Sequence, residues 1–353
     1  MNFHLGGYLT QSQIIEDSGR GRVLDVTSVQ EQGAAAYWRR VCAPLFDVSP
    51  MRDEMSGWDF SAHVWFVGPY VFCRVASGGS ALRRTQRHIS TTGRFVLALR
   101  LSKGRILGAA AGVPFDVQAG NIAIHDYASE FEAVQFPSVL EAVFVPRPSG
   151  YGRTVMDSPL TVLAQDGVAH QKLAGDFDRV FSRLRRGAHS IPVSALGSLA
   201  NPVSSLEPGQ GGVVDDRAAM RDANHKQIIT YIEQRLASKS LAASEIINAF
   251  GVSRATLYRL FEEAGGVRTY ICDRRVFRAL YEIASSPHNR GLIQRASDRW
   301  GFTSGTHFNR AVHRLLDSAP GGLFQVPFRE RRSAALRSTF SAEMLERGLI
   351  RSA

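Results

Sequence analysis

The sequence predicts an α+β protein in which a β-rich N-terminal domain precedes an all-α C-terminal domain. Short β-branched and aromatic runs, separated by Gly, Pro and Ser, fill residues 60–150. Apolar residues spaced three and four apart run through residues 218–325, which is typical of amphipathic helices. The formal net charge of +10 belongs to the C-terminal part. Residues 1–216 hold 20 basic and 20 acidic residues, whereas residues 217–353 hold 22 and 12. Such asymmetry favours an anionic partner for the C-terminal part.

The N-terminal domain is predicted to span residues 1–204. In RFVLALRL, large apolar residues stand at every second position, as in a half-buried strand. They are Phe95, Leu97, Leu99 and Leu101, and the positions between them hold Val96, Ala98 and Arg100. Several such strands at regular spacing predict a small antiparallel barrel or sandwich at about 60–150. Residues at about 157–204 have helical spacing, as in Leu173, Phe177 and Phe181. These helices could form a dimer face or belong to the core of one monomer.

A linker is predicted at residues 205–216, SLEPGQGGVVDD, which concentrate Gly, Pro and acidic residues with little to bury. The change in charge falls at its end, so we place a domain boundary there. The all-α domain then covers residues 217–326, and a C-terminal extension covers residues 327–353.

Cysteine usage and the N-terminus predict a soluble cytoplasmic protein that does not contact a membrane. Cys42, Cys73 and Cys272 form no C-x-x-C pair and predict neither a disulfide framework nor a zinc site. The N-terminus lacks the charged and apolar regions of a signal peptide, and no apolar run reaches the ~18 residues of a membrane span.

The C-terminal domain contains an internal repeat. GVSRATLYRLF at residue 251 recurs loosely as GFTSGTHFNRAV at residue 301. Each copy has a Gly, an apolar residue and a hydroxyl residue that could cap the next helix, for which we predict Ser253 and Thr303. Each is preceded by a short amphipathic helix, so two helix-turn-helix units are predicted at about 241–264 and 291–315. Arg259 and Arg310 occupy equivalent places, 51 positions apart.

The outward faces of the two second helices carry hydrogen-bond donors and small residues. In a helix-turn-helix these positions reach base edges in the major groove of DNA. Arg can pair with guanine, Asn with adenine, and a small side chain can contact a thymine methyl group. The alternative is that these residues form the solvated face of an ordinary helical domain. This alternative is less favoured because the motif occurs twice, on a basic segment of the chain. The predicted DNA-binding residues are Arg254, Ala255, Tyr258, Arg259, Gly305, Thr306, His307, Asn309 and Arg310.

The stretches GVSRATLYRLFEEAGGVRTYICDRRVFRAL and RWGFTSGTHFNRAVHRLLDSAP resemble the DNA-binding domain of AraC/XylS-type transcription regulators. The resemblance implies two helix-turn-helix units, joined by a helix at about 270–285, that enter adjacent major grooves of promoter DNA. It implies base contacts from the residues Ala255, Arg259, Gly305, Thr306 and Arg310. It also implies activation of transcription through RNA polymerase.

The N-terminal domain is similar, through YWR, VQAGNIAIHD and VFVPR, to the effector-binding half of XylS-like members. This similarity implies a cupin-like β-barrel with dimerisation helices, a homodimer and a small-molecule effector whose identity the sequence does not give. From strand position we expect His63, Trp65 and Arg74 to bind an anionic or aromatic effector.

No catalytic role is predicted for the β-domain. Its histidines occur singly, without the H-x-H pair of metal cupins, and no nucleophile elbow, phosphate loop or H-E-x-x-H is present. We therefore expect no enzyme activity, cofactor or metal. Two alternatives remain: a cupin-type small-molecule metalloenzyme with a basic C-terminal domain, and a DNA-binding protein whose β-domain only dimerises.

Overall fold

The computed structural model describes residues 21–29, 38–39, 42–50, 60–147, 156, 158–188, 190–206, 216–262, 264–286 and 291–316. The predicted C-terminal extension at 327–353 and most of the linker lie outside these residues. Within the described part, no helix combines the length and apolar character that crossing a membrane requires.

The β-domain consists of two antiparallel sheets. The strands are β1 (Gly21–Val29), β2 (Asp47–Pro50), β3 (Phe60–Val67), β4 (Tyr70–Ser77), β5 (Ser80–Arg84), β6 (Phe95–Lys103), β7 (Arg105–Ala110), β8 (Val113–Gln118), β9 (Ile122–Asp126), β10 (Phe131–Gln135), β11 (Ser138–Pro146), β12 (Leu160–Leu163) and β13 (Ser190–Ile191). One sheet has the order β12-β9-β6-β11-β4-β3-β1-β13, and the other has the order β2-β5-β10-β7-β8. The predicted closed barrel is wrong, because the two sheets share no hydrogen-bonded strand pair among these strands; the sandwich is what forms.

A core lies between the two sheets. Val64, Cys73 and Val75 of the eight-stranded sheet pack with Ile106 and Phe131 of the five-stranded sheet. Since side chains alternate along a strand, the residues between them point away from this core.

The outer face of the eight-stranded sheet is covered by α2 (Val168–Arg185). Its Leu173, Phe177, Val180, Phe181 and Leu184 are buried, which follows from their helical spacing. This helix therefore packs in the core of the monomer, one of the two alternatives that the sequence left open. The rest of the predicted helical region contains β12, β13 and two 3-10 segments, Val193–Ala200 and Pro202–Ser205.

The remaining helices are α1 (Gln86–Thr92) in the β-domain and, in the C-terminal domain, α3 (Asp216–Arg235), α4 (Ala243–Phe250), α5 (Arg254–Leu260), α6 (Val267–Ser285), α7 (Leu292–Arg299) and α8 (Gly305–Leu316). The connecting helix α6 is central, because it contributes to two cores. Its N-terminal Val267 and Ile271 pack with α3, α4 and α5. Its C-terminal Phe277 and Leu280 pack with α7 and α8.

The connecting helix also packs against the outer face of the five-stranded sheet. Ala81, Leu107 and Val134 of that sheet are buried in the same cluster as Val276 and Leu280 of α6. The five-stranded sheet is thus buried on both faces, with the sandwich core on one side and the C-terminal domain on the other.

Candidate nucleic-acid interface and interior cavity

The first predicted helix-turn-helix unit falls on α4 and α5, which a short turn joins. Gly251 ends α4 in the left-handed conformation, with φ 63°, which a glycine adopts without strain. The Ser253 hydroxyl then accepts a hydrogen bond from the Thr256 backbone N–H at 3.1 Å and caps α5, as predicted. Leu257, fully buried, holds α5 against the domain.

The second unit, α7 and α8, is capped one residue later than predicted. α8 begins at Gly305, and the Ser304 hydroxyl accepts from the His307 backbone N–H at 3.1 Å. The prediction of Thr303 as the cap is therefore wrong; its hydroxyl lies 3.3 Å from His307 Nδ1 instead. The turn after Gly301 is one residue longer than the turn after Gly251, which brings Ser304 into the place that Ser253 occupies.

This register makes the repeat regular at 51 positions. Ser253 and Ser304 cap, the buried Leu257 corresponds to the buried Phe308, and Arg259 corresponds to Arg310. Among the predicted DNA-binding residues, exposed side chains are those of Arg254, Ala255, Arg259, Thr306, His307, Asn309 and Arg310. Tyr258 and Gly305 are half-buried. The Arg254 guanidinium lies over the Tyr258 ring, 5.7 Å from its centroid.

Arg275 of α6 lies between the segment that precedes the first unit and the turn of the second unit. Its Nε donates to the carbonyl of Leu236 at 2.9 Å and its Nη2 to the carbonyl of Ser238 at 2.6 Å, both just after α3. The same guanidinium lies under Gly301 in the turn of the second unit, where an added Cβ would be 3.0 Å from Cζ. One side chain therefore bonds the segment that precedes α4 and lies against the turn that precedes α8.

An interior cavity of about 130 Å³ lies between the two sheets of the β-domain. Its wall is largely apolar and includes Val64, Cys73, Phe115 and Ala133. The polar side chains on the wall belong to His125, Tyr127 and Gln135.

The three predicted effector residues lie on the other face of the sheet. Trp65 is buried against α2, with its ring centroid 5.9 Å from that of Phe181, and His63 stacks on Trp65 at 5.8 Å. Arg74 is paired with His63 in the β3–β4 register. Because side chains alternate along a strand, the neighbours Val64 and Cys73 are the ones that face the cavity. The structure thus brings the three residues together, but outside the cavity.

The cavity wall is electrically neutral. Burial lowers the pKa of His125 to about 3, and the positive charge of Arg84 adds to this effect. Burial raises the pKa of the Cys73 thiol to about 12 and that of the Cys42 thiol well above its ordinary value. Burial also raises the pKa of Tyr127. Near neutral pH these groups carry no charge.

Arg84 is a buried cation beside the cavity. Its Nε donates to the Tyr127 carbonyl at 3.1 Å, and its Nη1 donates to the Leu45 carbonyl at 2.6 Å and to the Thr92 hydroxyl at 2.9 Å. The guanidinium also lies over the Tyr127 ring. Burial lowers the pKa of Arg84 to about 10. This cation therefore already donates to protein oxygens, and it joins the turn before β2, the last residue of α1 and the residue after β9.

A set of contacts between the domains was not predicted. Arg278 donates from Nη1 to Glu132 of β10 at 2.6 Å and from Nη2 to Glu233 of α3 at 3.1 Å. The buried Arg274 pairs with Glu233 at 2.5 Å, and its Nη1 donates to the Gly108 carbonyl of β7 at 3.3 Å. The spacing of charged residues along an amphipathic helix does not show whether a given side chain meets solvent or another domain. These contacts could therefore not be predicted from the sequence.

The second unit also reaches the β-domain. Arg105 of β7 donates from Nη1 to the Leu315 carbonyl near the end of α8, and from Nε to Asp116 at 2.8 Å. The connecting helix and the second unit are therefore both bonded to the five-stranded sheet.

The sequence matches no protein-family model, and no curated protein matches it. Among solved structures, the chain is similar to the AraC-like transcriptional activator CuxR, at 19% identity and a TM-score of 0.44, over 74% of this chain and 97% of that chain. It is similar to ToxT from Vibrio cholerae O395 at 15% identity and a TM-score of 0.32, over 75% and 97%. It is also similar to unsaturated fatty acid-bound ToxT from Vibrio cholerae strain SCE256 at 11% identity and a TM-score of 0.30, over 86% and 96%.

Proposed function

We propose that this chain is a transcription regulator of the AraC/XylS type that binds promoter DNA through α5 and α8 in adjacent major grooves. The observation that carries the proposal is the repeated capped helix, in which Arg259 and Arg310 stand six residues after Ser253 and Ser304. Both arginines are exposed, and each follows a fully buried anchor two residues earlier. A helix held on one side and carrying donors on the other suits base readout.

The charge distribution supports the same function. The +10 excess lies within residues 217–353, so this part of the chain would be attracted to the phosphate backbone. Arg254, the first residue of α5, would meet a phosphate, whereas Arg259 lies one turn after Ala255 and would meet a base. Base contacts then come from the outward residues of α5 and α8, as the sequence predicts.

The β-domain is proposed to bind a small-molecule effector and to form a homodimer, and the regulator to act as an activator through RNA polymerase. The interior cavity supports the effector, because it lies one sheet away from α6, which joins the two DNA-binding units. A ligand regulates only if it binds two states of the protein differently.

The alternative, a cupin-type metalloenzyme, is not favoured by a specific observation. Among the residues that the structure describes, no group of three or more His, Cys, Asp or Glu is placed to hold a metal ion. Stoichiometric iron, manganese or zinc in the purified protein would favour this alternative.

The test is selection of binding sites from genomic DNA fragments, followed by titration of a selected site with variants. Arg259→Ala should weaken specific binding by about 1–3 kcal/mol and relax the preference at one base position. Arg310→Ala should do the same at a position about 10 base pairs, or one helical turn, away. Binding should also weaken linearly with salt on logarithmic axes.

Matched variants separate base readout from charge. Arg259→Lys keeps the charge but loses the bidentate geometry, so it should lose the base preference and keep the salt dependence. Arg186→Ala, an exposed arginine of the β-domain, should leave binding unchanged. Unchanged preferences in both Arg259→Ala and Arg310→Ala, or salt-insensitive binding, would overturn the proposal.

A further inference from the structure

The interior cavity between the sheets has the size of a small ring compound. Its volume is about 130 Å³. An engineered protein cavity of about 150 Å³ lined by Leu, Ile and Phe side chains stays dry and binds benzene. The wall here is similar in character, with Val64, Leu97, Phe115 and Phe144 among its residues. An apolar molecule of this size would gain packing contacts with these side chains.

The charge of the wall excludes an anionic ligand. No described residue on the wall carries a charge near neutral pH, because the pKa of His125 is lowered and those of Cys42, Cys73 and Tyr127 are raised. A carboxylate brought inside would lose its hydration without gaining a cation. The neighbouring Arg84 does not serve, since it is not part of the wall and already donates to the oxygens of Tyr127, Leu45 and Thr92.

One polar group on the wall can orient a ligand. Gln135 Nε2 donates to the hydroxyls of Ser77 and Ser138, both at 2.7 Å, which fixes the side-chain amide. None of the described hydrogen bonds uses Gln135 Oε1, so this oxygen can accept from a ligand hydroxyl. Among the polar side chains of the wall, this fixed amide thus offers one place for a neutral polar substituent.

The wall also places the ligand against the strand that meets the C-terminal domain. Phe115 of β8 lies over the backbone of Gly108 on β7, where a side chain would collide with its ring. The Gly108 carbonyl accepts from Arg274 of α6. A molecule that displaces the Phe115 ring would therefore act on the strand that α6 contacts.

We propose that the cavity binds a small, uncharged, ring-sized apolar molecule with at most one hydroxyl-type substituent held by Gln135, and that this is the effector class. Only the regulatory role rests on the proposed function; binding itself is a property of the β-domain. Of the anionic or aromatic effector that the sequence led us to expect, this proposal keeps the aromatic alternative and sets aside the anionic one.

The experiment compares toluene, benzyl alcohol and benzoate, which share a ring and differ in polarity and charge. Thermal unfolding and calorimetric titration are followed on the full chain at pH 7.5 without DNA. Toluene and benzyl alcohol should each raise the Tm by about 3–5 °C at ten times the Kd, and benzoate should give no shift. Equal or greater stabilisation by benzoate, or no stabilisation by either neutral compound, would overturn the proposal.

Variants place the ligand in the cavity. Ala133→Leu adds bulk to the wall and should abolish both shifts, whereas Ala164→Leu, the same change at an exposed position, should keep them. Should Ala133→Leu not fold, Ala142→Leu at another wall position serves the same purpose. Gln135→Leu should weaken benzyl alcohol about tenfold relative to toluene. If the Tm shifts persist in both Ala133→Leu and Ala142→Leu, the ligand binds elsewhere and the proposed cavity site is wrong.

The two proposals fail separately. A protein that shows these shifts but binds no genomic fragment keeps the cavity ligand and loses the regulator. A protein that binds DNA without any shift keeps the regulator and loses this effector class. Benzyl alcohol should change the affinity for a selected DNA site several-fold in the native chain and not in Ala133→Leu.

Discussion

Arg278 of the connecting helix lies with its Nη1 2.6 Å from Oε2 of Glu132 on the five-stranded sheet. The two residues are 146 positions apart, and each belongs to a different domain. Together with the apolar cluster that Val276 and Leu280 form with the sheet, they fasten the helix that joins the two proposed DNA-binding units to the five-stranded sheet.

Removing this pair should measure how firmly the domains are joined. Both side chains are partly buried, so a double-mutant cycle of Arg278→Ala and Glu132→Ala should give a coupling of about 0.5–1 kcal/mol in the free energy of unfolding by urea. The control is Arg83, which faces the same Glu132 at 3.5 Å but is exposed. Its cycle should give a coupling near zero, and equal couplings for the two arginines would contradict the role of Arg278.

Helix capping at the second unit can be tested with neighbouring hydroxyl residues. Ser304→Ala removes the acceptor of the His307 N–H and should cost about 1 kcal/mol of stability, as should Ser253→Ala in the first unit. Thr303→Val removes a hydroxyl without changing the cap and should cost clearly less. Helix content and stability are read by circular dichroism. A larger loss in Thr303→Val than in Ser304→Ala would restore the cap predicted from the sequence.

The two turn glycines should differ in their tolerance of alanine. At Gly251, with φ 63°, an added Cβ meets nothing within 4 Å, so Gly251→Ala should cost about 1 kcal/mol of backbone strain. At Gly301, with φ 80°, the same Cβ would crowd Arg275, so Gly301→Ala should cost more. Urea unfolding of both variants checks the order. Gly251→Ala as the more damaging change would show that Arg275 does not constrain the second turn.

Acid should destabilise the protein through His125. Its folded pKa of about 3 lies below the ordinary histidine pKa of 6.5, so the unfolded chain takes up the proton first. This contribution is fully present above pH 6.5 and is lost as the pH falls towards 3. Between pH 6.5 and 5 the loss should be about 1–2 kcal/mol. His125→Gln removes the titration, so its stability should fall less over the same range. Parallel pH profiles for the two proteins would rule the effect out.

The C-terminal domain was largely predictable because its signals are local. A capped helix start, a glycine before it and apolar spacing of three and four specify each unit without reference to the rest of the chain. The cap at Ser304 was missed since two adjacent hydroxyl residues, Thr303 and Ser304, satisfy the same rule. Only the length of the turn, set by packing, decides between them.

The β-domain was predictable in class but not in the assignment of faces. Both faces of the eight-stranded sheet are buried, one by the second sheet and one by α2, so alternation does not say which set of residues meets a ligand. His63, Trp65 and Arg74 were predicted to bind the effector because of their polar and aromatic side chains. The cavity is instead lined by their neighbours on the same strands, such as Val64 and Cys73. Closure of the sheets is likewise non-local, and strand patterns alone could not distinguish a barrel from a sandwich.

The double burial of the five-stranded sheet has a practical consequence for redesign. On β10, Ala133 and Gln135 face the cavity while Val134 faces the connecting helix, and on β7 Ile106 and Leu107 divide in the same way. Alternate residues of the same strands thus form an inward set, which lines the cavity, and an outward set, which contacts the connecting helix, and each set can be varied without the other. Under the proposed function, a library that varies only the inward set would change which compound binds in the cavity while leaving the contacts with the connecting helix intact, which would make the chain a scaffold for reporters of small aromatic compounds.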